Sequence, residues 1–252
     1  MEENAAGRVI VLDIESVQDH SLGALAALPR GDVKRWCLHR VAAAALLDAE
    51  RTPDGTWTRF DLKAWESGAG EEDVLEELDA SLMPVVEGAA TLVTYNGRRH
   101  DLEILRRRAG ANLRMDLRAL ATLRHLPPGR HRDMMGVVCG NARDRLATLG
   151  DAIASMGIGI DHDGPLPFKV SSPPNVRKCQ ADVVATFLLH LNEAALDSGR
   201  AIDLLRGWRA LADYLRPRAR MWPHLAHFAL HPNGRPAGGP PRPDPSIAGP
   251  VR

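Results

Sequence analysis

The segment "RVIVLDIESVQD", residues 8–19, constrains the chain more than any other. Five of the six residues from Val9 to Ile14 are apolar, and a short apolar run rich in β-branched residues predicts a buried strand. The run ends in Asp13-Ile14-Glu15. Side chains alternate across a strand, so the two carboxylates lie on one face of its end. Like charges that close repel each other, and burying them is costly unless something neutralises them. A divalent metal ion is the usual neutraliser of clustered carboxylates, so this strand end asks for further oxygen ligands from elsewhere in the chain.

Two other stretches supply them. "TLVTYNGRRHDLEIL" places Asp101 just past a second apolar strand, at the head of a helix. "RKCQADVVATFLL" places Asp182 inside a long helix among apolar neighbours, a setting in which an unpartnered acid is disfavoured. If the strand end, the helix head and the helix interior converge, the four carboxylates form an all-oxygen pocket suited to hard cations such as Mg²⁺ or Mn²⁺. Two such ions can clamp the attacking and leaving oxygens of a phosphodiester.

The remaining pattern indicates what could bring them together. "RVAAAALLDAERTPDGTWTRFDLKA" predicts a hairpin turning at Pro53-Asp54-Gly55, although the run Ala42–Ala45 also suits a helix. "GEEDVLEELDASLMPVVEGA" has acids in its first turn and apolar residues at Val74, Leu75, Leu78 and Leu82, the pattern of an amphipathic helix. Further helices are predicted from "DLEILRRRAG", ending at its Gly, and from "RDRLATLGDAIASMGI", "PPNVRKCQADVVATFLLHLNEAALDSG" and "AIDLLRGWRALADYLRP". A first strand, a hairpin and alternating strands and helices give an α/β layer architecture over residues 1–231. From about residue 232 the chain is rich in Pro and Gly, and a disordered tail, 232–252, is expected.

Composition removes several classes. Lys plus Arg equals Asp plus Glu, 32 each, so net charge does not indicate a polyanion partner. The three cysteines, Cys37, Cys139 and Cys179, form no CxxC pair, which argues against a disulfide framework or a cysteine zinc site. The acidic start lacks an apolar signal region and no apolar run suffices to span a bilayer, so a soluble, cytoplasmic protein is expected.

With Asp13-x-Glu15 after a hydrophobic strand, then Asn96-Gly97 followed by Asp101, then Asp182 in a helix, the chain resembles the DEDD superfamily of 3′–5′ exonucleases. It looks most like the predicted exonuclease family related to the proofreading domain of family B DNA polymerases. The resemblance spans roughly residues 8–195. It implies a ribonuclease H-like mixed β-sheet flanked by α-helices. It further implies two Mg²⁺ or Mn²⁺ ions on Asp13, Glu15, Asp101 and Asp182, and hydrolysis at single-stranded 3′ ends of DNA or RNA. Main-chain groups near Ile14 and Glu15, with Asn96 and Gly97, would seat the terminal nucleotide.

The chain departs from that pattern at one catalytic position. Where the family has a Tyr four residues before the last Asp, or a His five before it, this chain has Lys178 and Arg177. The Tyr or His orients the attacking water in the family, and a charged Lys cannot accept a proton. Two alternatives follow: a nucleic-acid-binding module on the same fold with catalysis weakened by Lys178, and a metal-dependent nucleotidase or phosphatase using the same carboxylates.

Several other residues admit two readings. "RRH" at 98–100 and "RRR" at 106–108 are phosphate contacts or solvated faces. His131 and Asp133 have metal-pair spacing, or belong to the strand and loop that the resemblance places after the second motif. Trp208, Tyr214 and Trp222 stack bases or fill core. Asn96 holds substrate or simply makes a turn.

Overall fold

A computed structural model of the chain describes residues 7–25, 36–68, 70–127, 129–140, 147–158 and 173–229. The expected tail, 232–252, lies outside the described residues. Five strands form one mixed sheet: β1 (Arg8–Gln18), β2 (His39–Arg51), β3 (Trp57–Glu66), β4 (Thr91–Thr94) and β5 (His131–Asp133). Their order is β3-β2-β1-β4-β5. β2 is antiparallel to both β1 and β3, while β4 runs parallel to β1 and to β5. This is the mixed sheet flanked by helices that the ribonuclease H-like expectation required.

The hairpin turns where the Pro53-Asp54-Gly55 signal puts it, with Gly55 at φ +87° and Arg51 opposite Trp57. The alanine run is strand, not helix. Helix propensity favours Ala, but β2 is buried on both faces and so shows no polar alternation. Ala43, Ala45, Leu47 and Ala49 face one core, and Ala44 and Leu46 face the other.

The first core lies under α7 (Pro174–Ser198) and α8 (Ala201–Leu215), which pack against Val9, Val11, Trp57 and Leu62 of the sheet. The second lies under α2 (Glu72–Val86), α3 (Asp101–Ala111) and the short α4 (Arg118–Thr122), which cover Ile10, Leu12, Ile14 and Leu92. Odd and even residues of β1 thus feed opposite layers, the period-two consequence of the pleat.

Helix limits differ from expectation in two places. α3 runs through Gly110 and ends at Ala111, with Asn112 as its cap residue. The helix expected within "RDRLATLGDAIASMGI" covers Leu149–Ser155. Thr148 starts it, because its hydroxyl accepts from the Asp151 N–H while the Asp151 carboxylate accepts from the Thr148 N–H. Neither α4 nor the six-residue α5 (Met134–Cys139) was expected; both are too short to show a period.

Candidate active site

β1 delivers the first pair of carboxylates. Asp13 and Glu15 share the face that carries Val9 and Val11, opposite Ala45 and Ala43 of β2. The register of β1 against β2 shifts just after Glu15, between it and Ser16. Such a bulge bends a strand and disrupts its ladder locally, and pairing resumes with Ser16 opposite Val41. The small alanines leave room on that face for α7 to approach. Its residues Cys179 and Asp182 are three apart and therefore neighbours on the helix. Both are buried, Asp182 to 7% exposure.

Asp101 comes from the other layer. It is the first residue of α3 and only 4% exposed. The turn before it has one workable geometry. Asn96 adopts φ +61°. A Cβ on Gly97 would stand 2.5 Å from Thr94 Cβ, so glycine is required there. Asp133 fixes the turn from β5, accepting from the N–H groups of Asn96 at 2.8 Å and Arg98 at 3.0 Å. His131 is hydrogen-bonded to Thr94 Oγ1 through Nε2 at 2.8 Å. These contacts favour the strand-and-loop reading of His131 and Asp133: Asp133 holds the turn before Asp101, and His131 Nε2 is engaged with Thr94.

The acids lie close enough to perturb one another's charge. Burial pushes the Asp13 carboxyl well above the usual carboxylate range, and the charges of Asp101, Asp182 and Glu15 add to it, against the pull of Lys178. Burial also raises Asp101, while the hydrogen bond from His100 Nδ1, at 2.8 Å, opposes the rise. Asp13 Oδ2 and Asp101 Oδ2 are buried and have no hydrogen-bond partner among the described residues. Buried carboxylate oxygens left in that state are costly. A hard divalent cation would satisfy them, so the donor set fits such an ion.

Lys178 sits in the same cluster. Its Nζ donates to Asp182 Oδ2 at 2.8 Å and to Glu15 Oε1. Burial alone would lower its pKa, but the charge of Asp182 and the two hydrogen bonds outweigh that and hold the ammonium well above its ordinary value. Lys178 is therefore a fixed cation, as the spacing of four residues from Asp182 predicts.

Asp13, Glu15, Asp101, Asp182 and Lys178 thus converge from three elements. Ile14 points the other way, into the second core, so only its main chain remains available on the carboxylate side. Two neighbours escaped the sequence. Ligand atoms of Asp13, Glu15 and Cys179 lie within 4.8 Å of one another. Burial and the neighbouring acids keep the Cys179 thiol protonated, and it is hydrogen-bonded to Asp13. Its position three residues before Asp182 was the available signal. His100 was read only as part of a basic run.

Arg106, Arg107, Arg108 and the three aromatic candidates make structural contacts, while Arg98 and Arg99 are exposed. Arg108 is buried against Glu71 at 2.7 Å, Arg106 pairs with Glu103, and Arg107 lies over the Trp36 ring. Trp208 donates to the Phe228 carbonyl, the Tyr214 hydroxyl accepts from the Leu62 N–H, and Trp222 packs tilted against Tyr214 with ring centroids 6.2 Å apart.

No family profile and no curated protein matches the chain. Among solved structures it is similar to the family B DNA polymerase of the archaeon Pyrobaculum calidifontis, at 18% identity and a TM-score of 0.42, over 85% of this chain and 29% of that one. It is also similar to a product-bound exonuclease I, at 14% identity and a TM-score of 0.42, covering 81% of this chain and 46% of that one. Exonuclease I of E. coli in complex with a dA13 oligonucleotide gives 13% identity and a TM-score of 0.39, over 81% and 43% of the two chains. The chain spans less than half the length of each. Likenesses this loose carry no conclusion about chemistry. Among the described residues, no helix is long and apolar enough to cross a membrane.

Proposed function

We propose that the protein is a metal-dependent 3′–5′ exonuclease that removes nucleotides from single-stranded ends of DNA or RNA through a two-cation site. The observation that carries this is the convergence of Asp13, Glu15, Asp101 and Asp182 from β1, α3 and α7, with two buried oxygens lacking partners among the described residues. Asp13, Glu15, Asp101 and Asp182 would hold the divalent ions, Mg²⁺ or Mn²⁺. Such ions supply an activated water and stabilise the leaving oxygen. The chain's own groups do the rest. The turn at Asn96-Gly97 sets Asp101 at the head of α3. The main chain at Ile14 and Glu15 and the Asn96 side chain seat the terminal nucleotide. The bulge after Glu15 bends that end of β1.

Lys178 favours a second reading, a binding module with weakened catalysis, because its ammonium occupies two of the four carboxylates. The experiment is incubation with 5′-labelled single-stranded DNA and RNA, with Mn²⁺ or with EDTA. The expected result is a ladder shortening from the 3′ end, abolished by EDTA and by Asp13→Asn. Retained binding with no shortening on any substrate would replace the exonuclease with the binding module.

A further inference from the structure

We infer that Lys178 supplies one of the two cationic charges of the site, so that the protein binds a single divalent ion, held by Asp13 and Asp101. This rests on the exonuclease reading and narrows its two divalent ions to one, with the Lys178 ammonium in place of the other. The four acids are not equivalent. Glu15 and Asp182 share the Lys178 ammonium, at 2.8 Å from Asp182 Oδ2. Asp13 and Asp101 each keep a buried oxygen with no partner among the described residues. Asp101 is itself 4% exposed, so water does not readily satisfy it.

The division follows from tethering. Lys178 and Asp182 lie on one face of α7, one turn apart. A cation attached to the same helix is present at a high effective concentration. A free ion reaching Glu15 and Asp182 must displace that ammonium or sit beside it, and like charges at contact distance repel. Asp101 accepts from His100 through Oδ1 at 2.8 Å and Asp13 is hydrogen-bonded to the Cys179 thiol, yet Oδ2 of each keeps no partner among the described residues. The lysine stem is part of this design, since its side chain keeps 43% exposure while the Nζ reaches inward.

The test is a Mn²⁺ titration of the full chain, with free Mn²⁺ read by electron paramagnetic resonance. Wild type is expected to bind one ion, and Lys178→Ala two. Lys178→Met, which keeps the stem without the charge, should also bind two. Two ions of comparable affinity in wild type would overturn the inference, as would a single ion in both variants. Degradation of labelled 3′ ends, run in parallel, separates this from the exonuclease reading. One ion in wild type and two in the variants, with no degradation by any of them, sustains the inference and removes the nuclease. Two ions in wild type with degradation does the reverse. No Mn²⁺ bound by any of the three removes both.

Discussion

Asp101 shows how a single residue can act against the fold that holds it. Burial disfavours its charge, and one oxygen lacks a partner among the described residues. An acid in that position is maintained at the expense of stability, a cost typically of about 1–3 kcal/mol for a buried unsatisfied group. Asp101→Asn removes the charge but keeps an acceptor for His100. Its expected effect in EDTA is therefore stabilisation, by about 1–3 kcal/mol. The rise in melting temperature with Mn²⁺, which wild type owes to binding in the native state alone, should shrink in the variant. Thermal melts with and without the ion test both signs, and destabilisation in EDTA would show that the acid is structurally satisfied. The spacing of Asp101 from Asn96-Gly97 was readable in the sequence. Its dependence on Asp133, thirty-two residues later, was not, because that contact is made across β4 and β5.

At the level of elements, Glu71 joins three of them. It directly precedes α2, where an acid suits the helix dipole. Its carboxylate also accepts from the Val41 N–H of β2 at 2.6 Å, from Arg108 Nε of α3 at 2.7 Å and from Asn112 Nδ2 at 3.0 Å. Arg108 is buried there, so removing Glu71 leaves it only the Asp19 carboxylate at 3.1 Å and also takes the acceptor from the Val41 N–H. Glu71→Ala should cost about 3–5 kcal/mol in denaturant unfolding. Glu71→Gln, which keeps an acceptor, should cost less. Equal losses for the two would mean that packing, not the ion pair, matters here. In the sequence Arg108 was one of three consecutive arginines, and nothing local distinguishes the buried one from its neighbours. Burial is decided by which side of α3 meets α2 and β2.

Across the whole molecule, pH couples to stability through buried histidines. Burial, with the charge of Arg98, lowers His131 from the ordinary value to about 4, against a smaller opposing effect of Asp133. Burial lowers His190 to about 3. The unfolded chain takes up these protons near pH 6.5, the folded chain only near those lower values. Between the two, the unfolded state binds more protons, so stability falls as pH falls. His131 alone should account for about 2 kcal/mol between pH 6.5 and 5. The raised carboxyls of Asp13 and Asp101 act in the opposite direction. The measurement is therefore the difference between wild type and His131→Gln in denaturant unfolding at pH 7.5 and 5. The variant should lose less on acidification, and parallel losses would remove His131 from the account. By itself the sequence determined the elements that local chemistry dictates: the apolar β1 ending in two acids, the hairpin turned by Pro53-Asp54-Gly55, the period of α2, and the Gly199 that ends α7 in a left-handed cap. It also determined that Lys178 and Asp182 share a helix face. The tertiary structure alone decided that Ala42–Ala45 is strand, since burial on both sides overrides propensity. It alone brought Cys179 beside Asp13 and bound Asp133 to the Asn96 turn. Those contacts join residues distant in sequence, and only the packing of layers sets the distances between them.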